Sequence, residues 1–210
     1  MTTCLYLVRH GATEADLAHP PRLSGRRQDP PLARLGIRQA EATRDFLAPR
    51  GLDFCYCSPL LRAVQTAALV AAPHGILTLP LTALTEADLG HWEGLDWAAI
   101  RYLYADAHAR FRDDPATHGY PGGETFRAVH DRAAPALERL LTAHAGHATL
   151  VVTHATVLRV LLAALLGLTP GQAHQVPLDP CGISVVRRDA QHTSVTTLNA
   201  AFHLHHLAAA

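Results

Sequence analysis

Five side chains stand out for what they could do together at a phosphorus centre. Arg9 and His10 are adjacent, and Arg62, Glu86 and His154 follow at wide spacings. Two guanidiniums form a bidentate clamp for a phosphoryl group. A neutral imidazole is a competent nucleophile toward phosphorus. A second histidine, if protonated, adds a donor to the phosphoryl oxygens, and a carboxylic acid can protonate a departing alkoxide. This chemistry needs neither a metal nor a lysine. Spacing alone does not bring the five together, so the fold must.

Composition narrows the alternatives. The chain has 210 residues, and all 18 of its basic Lys+Arg positions are arginine. With no lysine there is no Schiff base, no lysine general base, no pyridoxal-phosphate anchor and no GxxxxGK[ST] phosphate loop. Eighteen acidic residues balance the arginines to zero net charge. A broad nucleic-acid or anionic-membrane surface is therefore not expected. Hydrophobic content of 49% against 17% charged marks a folded globular chain. At this length it is expected to be one domain, residues 1–210. No apolar run reaches the roughly 18 residues that span a bilayer, and no basic-then-apolar leader opens the chain. A cytoplasmic protein is expected. Cys55 and Cys57 have C-x-C spacing with no second pair, so they read as packing residues in a strand.

The elements that must position the five residues alternate between strand and helix. Residues 3–9 form a first apolar strand. Residues 32–49 are helix-periodic and stop at Gly51. Residues 53–57 are a second strand. Ser58-Pro59 is expected to cap a helix running to about Ala72, and residues 76–79 are a third strand. A helix over 96–112 is expected, inside an aromatic-rich stretch at about 90–122. That stretch reads as a cap-like insertion over the site or as an ordinary peripheral helix. Residues 124–144 form an amphipathic helix with Pro135 inside it. The run 149–153 is a strand covered on both faces. An apolar helix spans 154–166, and strands at 183–187 and 194–198 read as a final pair. The tail 203–210 is expected to fray. This order predicts an α/β protein, a three-layer α/β/α sandwich around a mostly parallel mixed sheet with a small helical cap. Ligands bind at the carboxyl ends of such strands, and His10 and His154 each follow one.

Leu7-Val8-Arg9-His10-Gly11-Ala12-Thr13-Glu14 resembles the signature of the histidine phosphatase superfamily, the phosphoglycerate-mutase-like fold. Further matches follow in order. They are Ser24-Gly25, Asp29-Pro30-Pro31-Leu32 with Gly36, Gln39 and Ala40, and Ser58-Pro59-Leu60 with Arg62-Ala63 and Gln65-Thr66-Ala67. Then come Glu86 with Gly90, Trp92, Glu93 and Gly94; Pro121-Gly122-Gly123-Glu124; and Val151-Val152-Thr153-His154 with Arg159. Leu198-Asn199 with His203-Leu204 resembles the family's final strand and tail.

The resemblance implies a metal-independent phosphomonoesterase of small phosphorylated metabolites, working through phosphohistidine and without a cofactor. His10 would be the nucleophile and Glu86 the general acid, then base. Arg9, Arg62 and His154 would hold the phosphoryl oxygens, with further phosphate contacts at Asp16, Ser24, Gly25 and Ala155. The site's cations should lower the pKa of His10, and a mildly acidic rate optimum is expected. The family usually has Asn at position 16 and Gly at position 155. An aspartate beside phosphate should weaken binding unless it is protonated, turned away, or paired with an arginine such as Arg26 or Arg27. The alternatives are a phosphoglycerate mutase and a non-catalytic phospho-ligand binder. The expected partner is a small phosphate ester, not nucleic acid or membrane, and a homodimer stays open. His91 is the remaining histidine expected to line the leaving-group side.

Overall fold

The computed structural model describes residues 2–190 and 192–207. Strand β1 (Thr3–Arg9) leads through a one-turn helix α1 (Glu14–Leu17) to α2 (Arg34–Leu47). Then follow β2 (Phe54–Cys57), α3 (Leu61–Ala71) and β3 (Thr78–Pro80). Two short helices, α4 (Trp97–Leu103) and α5 (Ala105–Asp113), precede the long α6 (Phe126–Ala143), which runs on through Pro135. The chain ends with β4 (Ala148–Thr153), α7 (Ala155–Leu165), β5 (Ile183–Arg188) and β6 (Thr193–Ala200).

The six strands form one sheet in the order β3-β2-β4-β1-β5-β6. The first four are mutually parallel, and β5 and β6 join antiparallel. Strand side chains alternate between faces, so each face feeds a different helical layer. Leu5, Leu7 and Val151 pack with Leu137, Leu140, Val157 and Leu161 of α6 and α7. Val8, Leu150, Val152, Cys55 and Cys57 pack with Ala63, Ala67 and Val70 of α3 and Leu47 of α2. The expected sandwich, with its largely parallel sheet, is the architecture observed. Both cysteines of the C-x-C pair are buried and free, and burial pushes their thiols up to about 11 and about 12.

Three expectations give way. The helix expected over 96–112 is broken at Tyr104, which caps α4 and opens α5 with non-helical angles. A continuous helix would hold Trp97 and Phe111 about 21 Å apart at 1.5 Å per residue. Here their ring centroids lie 6.4 Å apart, and both rings pack on the fully buried Trp92. Covering one indole from both sides requires the chain to fold back. Ser58 does not cap α3, which starts at Leu61 after an uncapped Leu60; its hydroxyl accepts from Leu60 N, ahead of the helix, and lies against a histidine ring. The tail does not fray over 202–207. Those residues form a 3₁₀ turn that buries Leu204 and Leu207 against Ala40 and Cys181. The rest of the expected frayed tail, 208–210, lies outside the described residues.

The loop after β1 is pressed onto α2 where neither backbone tolerates a side chain. A Cβ on Gly36 would collide with the backbone of Ala12, and one on Gly11 would collide with Gly36. This contact fixes the segment that carries His10.

Candidate active site

Arg9 pairs with Thr153 in the parallel β1–β4 register. The next residues, His10 and His154, therefore emerge side by side at the carboxyl edge of the sheet. The His10 amide donates to Thr153 O at 2.9 Å, and the two imidazole centroids are 5.1 Å apart. His10 is 5% exposed and His154 fully buried. His10 Nδ1 lies 2.8 Å from Gly11 O, a carbonyl that can only accept. The proton therefore sits on Nδ1 and leaves the Nε2 lone pair free. Arg62 Nε approaches that lone pair at 3.3 Å.

Arg62 is fully buried, in the first turn of α3. Its Nη2 donates to Gly25 O (2.9 Å) and Ser24 O (3.5 Å), and its Nη1 to Gln28 O (3.2 Å). Ser24 and Gly25, expected to contact phosphate, thus act first as acceptors that hold Arg62. Arg9 Nη1 donates to Leu178 O at 2.8 Å, and its Nη2 is ion-paired with Asp16.

Asp16 finds its partner in Arg9, not in Arg26 or Arg27, which both pair with Asp88. It also closes a capping box on α1, accepting from Thr13 N (2.8 Å) and Thr13 Oγ1 (2.7 Å). Burial opposes its charge, but Arg9 and the Thr13 hydrogen bonds outweigh burial and hold the carboxyl below its usual range.

His10 is held neutral, its pKa lowered to about 3. Burial is the largest cause, ahead of Arg9 and Arg62, so the expected effect of the cations is real but second to desolvation. His154 is lowered well below its ordinary value for the same reasons, burial again first. It is therefore a neutral donor, not the protonated one considered from the sequence. Ser58 Oγ lies 2.7 Å from His154 Nε2 and accepts from Leu60 N at 3.2 Å. A neutral ring carries one N–H, on Nδ1 when the Ser58 hydroxyl donates to Nε2 and on Nε2 when it accepts.

Glu86 is 5% exposed. Its Oε1 accepts from Ala87 N (2.8 Å) and its Oε2 from Thr156 N (3.2 Å) in the first turn of α7. Arg132 steadies this loop, donating to Ala83 O and Glu86 O while paired with Glu124.

A cleft of about 460 Å³ opens over the group, walled by Arg9, His10, Asp16, Ser24, Glu86 and Ala155 among others. Arg62 and His154 lie immediately behind His10. Gly25 and His91 are not among the walls; His91 sits over Gly122, 6.5 Å from Tyr104. Among the described residues, Arg9 Nε, Ser24 Oγ and His154 Nδ1 are buried without a hydrogen-bond partner. Four other such atoms are scattered over His74, Trp92, Glu93 and Thr149, whereas these three gather around His10, an arrangement that fits a bound oxyanion.

Several contributors carried no assigned role in the sequence reading. Thr66 Oγ1 and Gln39 Oε1 accept from the Gly11 and Ala12 amides and shape the His10 loop. Trp97, Tyr120, Thr156 and Arg159 complete the cleft. Thr66 and Gln39 stood inside recognised motifs; Trp97 and Tyr120 stood in the aromatic-rich stretch at about 90–122, without a role of their own.

Residues 5–201 match the profile of the histidine phosphatase superfamily (branch 1). The chain belongs to that superfamily. This histidine phosphatase superfamily member is 35% identical over 184 residues to the bifunctional protein Rv2228c of Mycobacterium tuberculosis, across 87% of this chain and 50% of that one. It thus spans about half the length of the first curated relatives it matches. It is 34% identical to the 2,3-bisphosphoglycerate-dependent phosphoglycerate mutase of Methylobacterium radiotolerans, covering 94% of each chain. Among solved structures it resembles the mycobacterial glucosyl-3-phosphoglycerate phosphatase Rv2419c in complex with VO3. There the TM-score is 0.84 at 27% identity, over 94% of this chain and 99% of that one.

Proposed function

We propose that the protein is a metal-independent phosphomonoesterase that works through a phosphohistidine on His10. The observation that carries this reading is the state of His10: a neutral ring, Nδ1–H fixed on Gly11 O, and an Nε2 lone pair beside two guanidiniums. In the first step Nε2 attacks phosphorus and the P–O ester bond breaks. Glu86 delivers its proton to the departing alkoxide. In the second, Glu86 takes a proton from water, the water oxygen bonds to phosphorus and the P–N bond breaks. Inorganic phosphate leaves and His10 returns neutral. Arg9, Arg62 and His154 Nδ1–H stabilise the equatorial oxygens throughout.

On this reading Asp16 tempers Arg9, and the amides at the start of α7, from Ala155 onward, add helix N-terminal donors. The segment 90–122 acts as a cap that selects the leaving group. The substrate is a small phosphate ester, not nucleic acid. Four free cysteines agree with a reducing, cytoplasmic setting, and no helix among the described residues is long and apolar enough to cross a membrane.

The test is p-nitrophenyl phosphate hydrolysis. Wild type should turn over with and without EDTA, and His10→Ala should not. Equal rates for the two proteins would leave only a phospho-ligand binder. The similarity to a mutase supports a second reading, in which the phosphohistidine returns its group to another hydroxyl. Incubation with 3-phosphoglycerate separates them: phosphate release supports the phosphatase, 2-phosphoglycerate the mutase.

A further inference from the structure

We propose that Arg159 binds a second anionic group carried on the alcohol half of the phosphate ester. This rests on the phosphatase reading of the same cleft. Arg159 follows Ala155 by one turn of α7, so the two project on the same helix face into the cleft. Its side chain is half-buried, and its one hydrogen bond runs from Nε to Val176 O at 3.4 Å, a long contact. No carboxylate among the described residues is paired with it. Burial lowers its pKa, with Arg9 adding to the effect, and the opposing influence of Tyr120 and Glu86 does not restore it. A cation without a paired carboxylate calls for a counter-charge, and this one lines the cleft.

The surroundings agree. The cleft walls also include Arg22 and Arg101, neither of which has an acidic partner among the described residues. The only acids in the walls are Asp16, held by Arg9, and Glu86. Trp97, Tyr120 and Arg159 are shared with an adjoining cavity of about 270 Å³ that adds Arg112 and contains no acid. The phosphoryl site is separately supplied by Arg9, Arg62, His10 and His154. Arg159 therefore serves a different part of the ligand, a carboxylate or a second phosphate.

Two matched substrate pairs test this. 3-Phosphoglycerate against glycerol 3-phosphate reads the carboxylate; fructose 1,6-bisphosphate against fructose 6-phosphate reads the second phosphate. Wild type should favour the anion-bearing member of at least one pair by tenfold or more in kcat/KM, and the pair that responds identifies the anion. Arg159→Gln should bring that ratio to within threefold of one, and Arg159→Lys should keep part of it. A wild-type ratio near one in both pairs, or an Arg159→Gln loss equal for both members, overturns the assignment. Turnover of p-nitrophenyl phosphate that depends on His10 keeps this outcome distinct from failure of the phosphatase reading. Should turnover be absent, calorimetric Kd ratios for the same pairs, wild type against Arg159→Gln, decide by the same criterion.

Discussion

Replacing His10 with glutamine removes a titrating group from a buried position, and the structure sets how much pH dependence should go with it. In the folded chain His10 is lowered from 6.5 to about 3, chiefly by burial. Between those values the unfolded chain binds a proton that the folded chain refuses, so stability falls as pH falls through the window. The stabilisation is complete above about pH 6.5 and gone by about pH 3. The gap from 6.5 to about 3, at about 1.36 kcal/mol per pH unit, is worth about 5 kcal/mol in total. His154 is displaced in the same direction by the same cause. With both histidines acting, the wild-type slope approaches about 2.7 kcal/mol per pH unit below pH 6; with His154 alone it is about 1.4. The assay is urea unfolding at several pH values from 7 to 4.5. Between pH 6 and 4.5 wild type should lose about 1 to 2 kcal/mol more stability than His10→Gln. Parallel lines would refute the reasoning, because they would mean that His10 accepts its proton in the folded state as readily as in the unfolded one.

Three other perturbations follow from particular contacts. Asp16→Asn keeps an acceptor for Thr13 but removes the charge paired with Arg9. Inorganic phosphate should then inhibit about 30-fold more tightly, given about 2 kcal/mol per charge pair at roughly 7 Å and an effective dielectric of ~20; an unchanged inhibition constant counts against Asp16 as a brake. Ser58→Ala strips His154 Nε2 of its 2.7 Å partner and so removes the contact that orients the ring. It should lower kcat/KM by about 10- to 100-fold on the order of one lost buried hydrogen bond, with the fold intact by circular dichroism. Gly36→Ala drives a methyl into the Ala12 backbone and should cost about 1–3 kcal/mol of stability, read as a lowered Tm; an unaltered Tm would show that the His10 loop can move away.

What could be read from the chain divides by the range of the forces involved. The strands and helices were legible because alternation and 3.6-residue periodicity are local, and they ordered the sheet well enough to put His10 and His154 on one edge. The break at Tyr104 was not legible, because it brings two rings onto Trp92, a packing contact that helical periodicity does not encode. Ser58 misled for a similar reason. Serine before proline is a good capping signal, but its hydroxyl is taken by a histidine 96 positions away. The site residues were visible as types and motifs, whereas the leaving-group walls at Tyr120 and Arg159 emerge only once α7 and the 90–122 segment are in place.

Asp16 shows how a departure from a family pattern can leave the fold untouched and still reach the chemistry. Position 16 is the third residue of α1, and the capping box needs an acceptor there for the Thr13 amide. Asparagine and aspartate both supply one, so the helix does not discriminate between them. Arg9 does, since an aspartate gives it a full counter-charge. The result is a phosphoryl site with one less uncompensated cation, in a cleft where Arg22, Arg101 and Arg159 remain without acidic partners. On the phosphatase reading, positive potential is thereby weighted away from Arg9 and toward Arg22, Arg101 and Arg159. A substrate bearing its own second anion gains most from that distribution, which couples the Asp16→Asn prediction to the role inferred for Arg159. Restoring asparagine should narrow the preference for anion-bearing esters as it tightens inorganic phosphate, and a preference left unchanged by Asp16→Asn would show that the two ends of the cleft act independently.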